Sequence, residues 1–284
     1  MTGKPKIAFQ GERGANSEEA SRDYYPDHEP LACPTFEDAF EAIRNGTAAL
    51  GMIPVENSIA GRQTDVHHLL PDSGLFIIGE RFKPIRFHLM ANPGVKLKDV
   101  RTVASMPIAL EQCRKTLRKL GLATEAAGDT AGAARALAER PDPTRAAIAP
   151  ELAAEIYGLD ILVRDAEDER NNTTRFLVMT ADRNAPRPPA GVACVTSFVF
   201  RVRNLPAALY KALGGFATNG VNMTKLESYM ENGAFTATFF YAEVDGRPED
   251  PALANAFEEL GFFSEKFEIL GVYPADPYRA RAGR

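Results

Sequence analysis

The chain of 284 residues holds only three cysteines, Cys33, Cys113 and Cys194, far apart and odd in number. They build no disulfide frame and are expected as free buried thiols in a reducing compartment. The four histidines fall into no metal-binding spacing. His67 and His68 are adjacent, so a helix points them in different directions, and no metal is expected. No apolar run is long enough to span a bilayer. Met1-Thr2-Gly3-Lys4-Pro5-Lys6 passes at once into a short strand-like run, without the apolar stretch of a secretory signal. Basic residues are not in excess; the net charge of -5 argues against a binder of nucleic acid or of membrane surfaces. Hydrophobic residues at 45% and charged residues at 25% are those of an ordinary soluble protein, here expected in the cytoplasm.

What is present is an alternation of strand and helix. Residues 6–10 read as a strand, followed by Gly11-Glu12-Arg13-Gly14-Ala15-Asn16-Ser17 and a helix over 18–25. Such a turn offers backbone N–H groups at the positive end of a helix, which suits an anion. It has neither P-loop nor dinucleotide spacing. A tight turn with Ser17 as N-cap accounts for it as well. Thr35-Phe36-Glu37-Asp38 is a variant capping box, and Phe36, Ala39, Phe40 and Ile43 recur at helical spacing. Residues 48–53 form a small-residue buried strand that ends in Pro54-Val55-Glu56-Asn57-Ser58-Ile59-Ala60-Gly61. Open α/β sheets place ligands at such strand ends. Asn57 and Ser58 would serve equally as caps of a helix over 62–70. Strands are expected at 75–80, 85–91, 100–104, 146–149 and 161–163. Helices are expected over 107–120, from 129 onward and over 150–158. His88 lies in a strand and reads as a packed residue with no catalytic role.

This alternation from residue 6 to 180 predicts sheets covered by helices on both faces. It is long for one doubly wound unit and predicts two lobes, with the chain crossing near 79–86 and returning near 165–172. Asn171-Asn172-Thr173-Thr174-Arg175-Phe176 then falls at a cleft edge, where ligands bind. An arginine fork matches a carboxylate, and a threonine hydroxyl can donate to a leaving oxygen. A strand-leading turn is the plain alternative. A proline-rich linker at 182–191 separates a second unit, 192–274, whose order β-α-β-β-α-β is ferredoxin-like. Its hairpin turn is placed at 230–233. The tail after Tyr273 is charged and expected to be mobile.

Three motifs carry a family resemblance in the first part: Gly11-x-x-Gly14-x-x-Ser17, Pro54-Val55-Glu56-Asn57-Ser58-x-x-Gly61, and Thr174-Arg175-Phe176. Ala208-Leu209-Tyr210-Lys211-Ala212-Leu213 and Asn222-Met223-Thr224-Lys225-Leu226-Glu227-Ser228 carry it in the second. In their order and spacing the chain resembles a prephenate dehydratase from about Lys6 to Tyr273. The resemblance implies a two-lobed catalytic domain like a periplasmic binding protein over 1–181, then an ACT regulatory domain over 192–274. Three departures stand out. The chain has Ser105-Met106-Pro107-Ile108 for Ser-His-Pro-Gln, Glu227-Ser228-Tyr229-Met230 for Glu-Ser-Arg-Pro, and Ala207-Ala208-Leu209 for Gly-Ala-Leu.

The reaction so implied takes CO2 and a ring hydroxyl from a dicarboxylate and leaves an aromatic ring. Aromatisation drives it, so no cofactor or metal is expected. Thr174, Arg175, Asn57 and Ser58 are the expected catalytic residues, Thr174 acting on the leaving oxygen and Arg175 on the retained carboxylate. Gly14, Ser17, Glu56, Gly61, Ser105, Thr173 and Phe176 are expected to bind substrate. Glu56 is either a structural acceptor or a proton source. The resemblance also implies phenylalanine as effector, held by Ala207, Ala208, Leu209, Asn219, Gly220, Val221, Asn222, Met223, Glu227 and Ser228, in a homodimer or homotetramer formed through ACT domains. Arogenate dehydratase is the neighbouring alternative. A non-catalytic two-lobed sensor of small carboxylates is the alternative from another class.

Overall fold

The computed structural model describes residues 3–203, 205–230 and 237–282. The chain begins with β1 (Lys6–Gln10), α1 (Asn16–Tyr24), β2 (Glu29–Cys33), α2 (Phe36–Arg44), β3 (Leu50–Asn57), β4 (Gly61–Arg62), α3 (Thr64–Leu69) and β5 (Phe76–Pro84). It continues with β6 (His88–Ala91), β7 (Thr102–Ser105), α4 (Pro107–Gln112), α5 (Arg114–Lys119), β8 (Ala123–Ala126), α6 (Thr130–Glu139), β9 (Arg145–Ala149), α7 (Glu151–Tyr157) and β10 (Asp160–Val163). After β11 (Thr173–Thr180) come β12 (Cys194–Val202), α8 (Ala208–Thr218), β13 (Met223–Met230), β14 (Ala237–Asp245), α9 (Pro251–Phe263), β15 (Ser264–Pro274) and α10 (Pro277–Ala282).

Contacts divide the chain into two compact units, one of residues up to Val66 with Phe82–Phe176, the other of His67–Arg81 with the chain from Leu177. The first unit has two lobes. In one, parallel β1 lies between β2 and β3, and β11 follows on the far side of β3. In the other, five strands run in the order β10-β6-β9-β7-β8. The β/α alternation made this legible, because parallel strands require crossover helices. Ile85, Phe87, Val103, Leu117 and Ile148 fill the second lobe's core. The two crossings between lobes are tied together. Ile85 N–H donates to Asn172 O at 2.8 Å. The buried Glu167 carboxylate accepts from Phe87 N–H and from Arg86.

The structure splits the single helix expected over 107–120. Cys113 leaves helical geometry at φ -106°, ψ 8°. Asp168, from the returning crossing, accepts from the N–H groups of Lys115 and Thr116 and caps the new helix from outside. The interrupted turn lets Gln112 O accept from Asp168 N–H at 2.7 Å, which anchors the helix end to the crossing. The first helix begins at Asn16 with Ala15 in the cap position, so Ser17 lies inside the first turn and is not its cap. Thr35 and Asp38 do form the reciprocal capping box. Edge strands β2 and β8 were not anticipated, since β8 is exposed along its whole length and shows no apolar alternation. His88 is buried, and its Nδ1 accepts from Asp165 N–H.

In the second unit, β12, α8, β13, β14, α9 and β15 form the ferredoxin-like arrangement with strand order β13-β14-β12-β15. Its core is aromatic: Phe198 stacks on Phe216 at 5.7 Å and meets Phe257 edge-on at 5.1 Å. β13 and β14 pair antiparallel as a hairpin requires, although residues 231–233 of the expected turn lie outside the described residues. The tail is not loose. Arg279 of α10 binds Glu80 through Nε at 2.6 Å and reaches Glu243 through Nη2 at 3.0 Å. Both carboxylates are buried, so the tail supplies their counter-charge.

Candidate active site

A cavity of about 550 Å³ lies between the lobes of the first unit. Ser17, Glu56, Asn57 and Gly61 line it from one lobe, Met106, Gln112 and Thr130 from the other, with Thr174 and Phe176 of β11 between them. Strand alternation places Thr174 and Phe176 on the same face of β11.

Asn57 is fully committed. Its Oδ1 accepts from the N–H groups of Ile59 and Ala60, which closes the polar loop after β3. Its Nδ2 donates to Asn172 Oδ1 at 2.7 Å and to Thr174 Oγ1 at 2.9 Å. Thr174 therefore receives a hydrogen bond on its oxygen, and its own O–H is left to donate into the cavity. The chain continues outward, where Asn172 Nδ2 donates to Gln112 Oε1 at 3.0 Å. With Oε1 so engaged, Gln112, which lines the cavity, keeps its Nε2 donors as the groups it has to offer there. Gln112–Asn172–Asn57–Thr174 thus spans the cleft from a helix end to the strand.

Other expected site residues are placed differently. Ser58 does not line the cavity; its hydroxyl donates to Asn171 O and accepts from Thr173 N–H, fastening the loop to the start of β11. Thr173 takes part through its backbone. Ser105 is fully buried and donates to Ile148 O within the second lobe. Gly14, at φ +88°, lies against α7, where a Cβ would fall 2.7 Å from Ala153 Cα. Arg175 is buried on the opposite side of β11 from Thr174, 3.8 Å from Glu56 and over the ring of Phe82.

The cation that does line the cavity, among the described residues, is Arg62, beside four carboxylates, Glu37, Glu56, Asp65 and Asp129. The first residues of α1, α2 and α6 also line it, so their positive ends face its space. Helix ends and neutral donors are thus the main groups here with which an anion could be met. Gln112, Thr130, Arg62 and the role of Asn172 were not read from the sequence. Gln112 sits inside a helix with no local mark, and only the return of a distant crossing gives it a partner. The three thiols are free and buried. Burial raises the Cys113 thiol far above its ordinary range, helped by Glu167 and Asp168, so none of the machinery is a thiolate there.

The expected effector residues lie in the second unit. Ala207 leads into α8 with a left-handed backbone at φ +61°. Asn219 Nδ2 bonds Gly215 O and Glu259, and Asn222 Nδ2 bonds Asp245. A small cavity of about 100 Å³ is lined by Ala208 but by none of the others.

Residues 7–184 match the family model for prephenate dehydratase. A Komagataeibacter europaeus protein described as a bifunctional N-acyl-homoserine lactone acylase/prephenate dehydratase is 49% identical over 281 residues, covering 99% of this chain and 100% of that one. The chloroplastic arogenate dehydratase/prephenate dehydratase 2 of Arabidopsis thaliana is 39% identical, over 95% of this chain and 73% of its own length. The solved prephenate dehydratase of Arthrobacter aurescens, in complex with L-Phe, superposes with a TM-score of 0.86 at 30% identity, covering 98% and 97% of the two chains. By motif, fold and full-length likeness, this chain belongs to the prephenate dehydratase family and is an enzyme of the lyase type.

Proposed function

We propose that the cavity binds prephenate and converts it to phenylpyruvate, CO2 and water. The bond to the ring carboxylate breaks and its electron pair enters the ring. The opposite C–O bond breaks in turn, and the departing oxygen leaves as water after one proton is taken up. The observation that carries this reading is the bond from Asn57 Nδ2 to Thr174 Oγ1 at 2.9 Å, which leaves the O–H of this cavity-lining threonine available as a donor. Positioned donation to charge developing on a leaving oxygen lowers the barrier without full proton transfer from so weak an acid. Gln112 Nε2 and the helix ends serve the carboxylates. Phe176 packs beside the ring, and Arg175 acts from behind β11 by holding Glu56. Incubating the purified protein with prephenate and following phenylpyruvate and CO2 tests the reading; no product from prephenate or from arogenate overturns it. Arogenate is the alternative substrate, supported by the Arabidopsis relative.

The second unit is read as an ACT domain at 192–274 that binds phenylalanine and pairs with another copy. Its strand order and the L-Phe complex of the Arthrobacter relative support this. Among the described strands β13 ends the order, and an edge of that kind suits pairing with another copy. Initial rates with and without phenylalanine, and the mass in solution, test both parts. A cytoplasmic location fits a biosynthetic enzyme.

The Komagataeibacter relative supports a second activity, hydrolysis of an N-acyl amide. In a groove beside Gln112 that is otherwise lined mostly by charged and polar residues, Ile59, Ala60 and Ile108 offer the apolar surface for an acyl chain. Release of free homoserine lactone from an N-acyl substrate by the pure protein checks it.

A further inference from the structure

The cleft holds one polar group that the dehydration chemistry leaves unused. Asn16 begins α1 and lines the cavity, and its Oδ1 is buried without a hydrogen-bond partner. A buried amide oxygen left unpaired is unfavourable and calls for an explanation. Its neighbours point to a ligand. Ser17, 7% exposed, and Thr130, 5% exposed, line the same cavity from the two lobes. Neither hydroxyl is engaged in a hydrogen bond among the described residues. Ala15, which carries no capping side chain, leaves the N–H groups of the first turn of α1 uncapped. Ala15 also packs against the cluster that contains Ala131, Ala133 and Ala153, so the starts of α1 and α6 are neighbours across the cleft.

Two hydroxyls and two helix ends form a place for a carboxylate. The carboxylate retained by the substrate lies next to the carbon that carries a keto oxygen in prephenate and an ammonium in arogenate. We propose that Asn16 is the residue that reads this substituent. The amide is suited to both cases: by turning over it donates through Nδ2 to a keto oxygen or accepts through Oδ1 from an ammonium. Asp129 lines the same wall with one oxygen bound to Gly132 N–H, and adds an acceptor that favours the ammonium. Glu37 and Asp65 line the cavity elsewhere and Arg62 is its cation, so the local balance at Asn16 does not exclude a cation.

The inference rests on the proposed dehydratase reading, and the test separates the two. The kcat/KM values for prephenate and arogenate are measured on the full chain for wild type, Asn16→Asp and Asn16→Leu. A ratio taken within one preparation is independent of the folded fraction. Asn16→Asp fixes an acceptor and is expected to raise the arogenate-to-prephenate ratio at least about tenfold. Asn16→Leu is expected to lower kcat/KM for both substrates, chiefly through KM, while Thr130→Val lowers both without moving the ratio. If wild type turns over a substrate and the ratio stays within about twofold in Asn16→Asp, this inference falls and the dehydratase reading stands. If wild type turns over neither, both fall.

Discussion

Asn57 Nδ2 lies 2.9 Å from Thr174 Oγ1, and this bond keeps the threonine proton from pointing back at Asn57. An unassisted threonine hydroxyl rotates freely and donates to whatever acceptor is near. With one lone pair taken by an amide whose other bonds are also taken, its O–H is directed away from Asn57 and has fewer orientations open to it. In the proposed reaction the network would supply preorganisation where the acid itself is weak.

Thr174→Ala is therefore expected to lower kcat on the order of a hundredfold or more, with KM little changed and the thermal midpoint preserved. Thr174→Ser keeps the donor and is expected to retain far more activity. Steady-state kinetics on both variants check this; a Thr174→Ala enzyme with near-normal kcat removes the threonine from the mechanism.

Gln112 makes a second, separable prediction. Gln112→Ala leaves the buried Asn172 Nδ2 without its acceptor, a loss of about 1–3 kcal/mol in local order. It also removes the donors that face the cavity. Both kcat and KM are expected to worsen, by on the order of tenfold or more together. Gln112→Glu keeps an acceptor for Asn172 but puts a carboxylate where the proposed reading puts a carboxylate of the substrate. Its defect is expected mainly in KM, and comparing the two variants separates positioning from binding.

The sequence made the α/β alternation, the two lobes and the ferredoxin-like order readable, because each rests on local periodicity and turn chemistry. Thr174 and Asn57 were readable as polar residues at strand ends. Arg175 shows where such reading stops. In Thr174-Arg175-Phe176 the strand period of two sends Arg175 away from the cavity, so adjacency in the motif is not adjacency in space. Gln112 gains its meaning from a crossing that lies far away in sequence, as with the capping of Lys115 by Asp168, and Thr130 from the cavity that distant segments build. The charge on α10 resembled that of a free tail, and the buried Glu80 and Glu243, distant in sequence, give it partners.

Gly271 is expected to tolerate no side chain. It pairs with Ile77 in β5, and a Cβ at 271 would fall 2.1 Å from Ile77 O. That contact is backbone against backbone, so neither side can swing away. Gly271→Ala must part β15 from β5 or bend a strand, and overpacking of this kind costs about 1–3 kcal/mol or more. A lowered denaturation midpoint for the second unit, read by urea titration, is the expected outcome; an unchanged midpoint means the strands part without loss.

Arg279 gives the sharpest stability test. Its guanidinium holds Glu80 by two bonds, at 2.6 and 2.9 Å, and Glu243 by a third at 3.0 Å. Glu80 gains a further bond from Asp276 N–H, and Glu243 one from Tyr241 Oη at 2.6 Å, so both carboxylates are fixed in place with little room to reach water. Removing the arginine takes from two buried acids the guanidinium that bonds them both. Breaking a buried pair from one side typically costs about 3–5 kcal/mol, far above the value of an exposed pair. Arg279→Met, which keeps much of the apolar stem, is expected to lose nearly that much, as is deletion of the chain after Tyr273. Adding Glu80→Gln and Glu243→Gln to Arg279→Met removes both charges and is expected to recover most of the stability. Chemical denaturation of the single and triple variants checks this. If Arg279→Met alone is as stable as wild type, the tail is an ornament of the fold and not the counter-charge on which the buried glutamates depend.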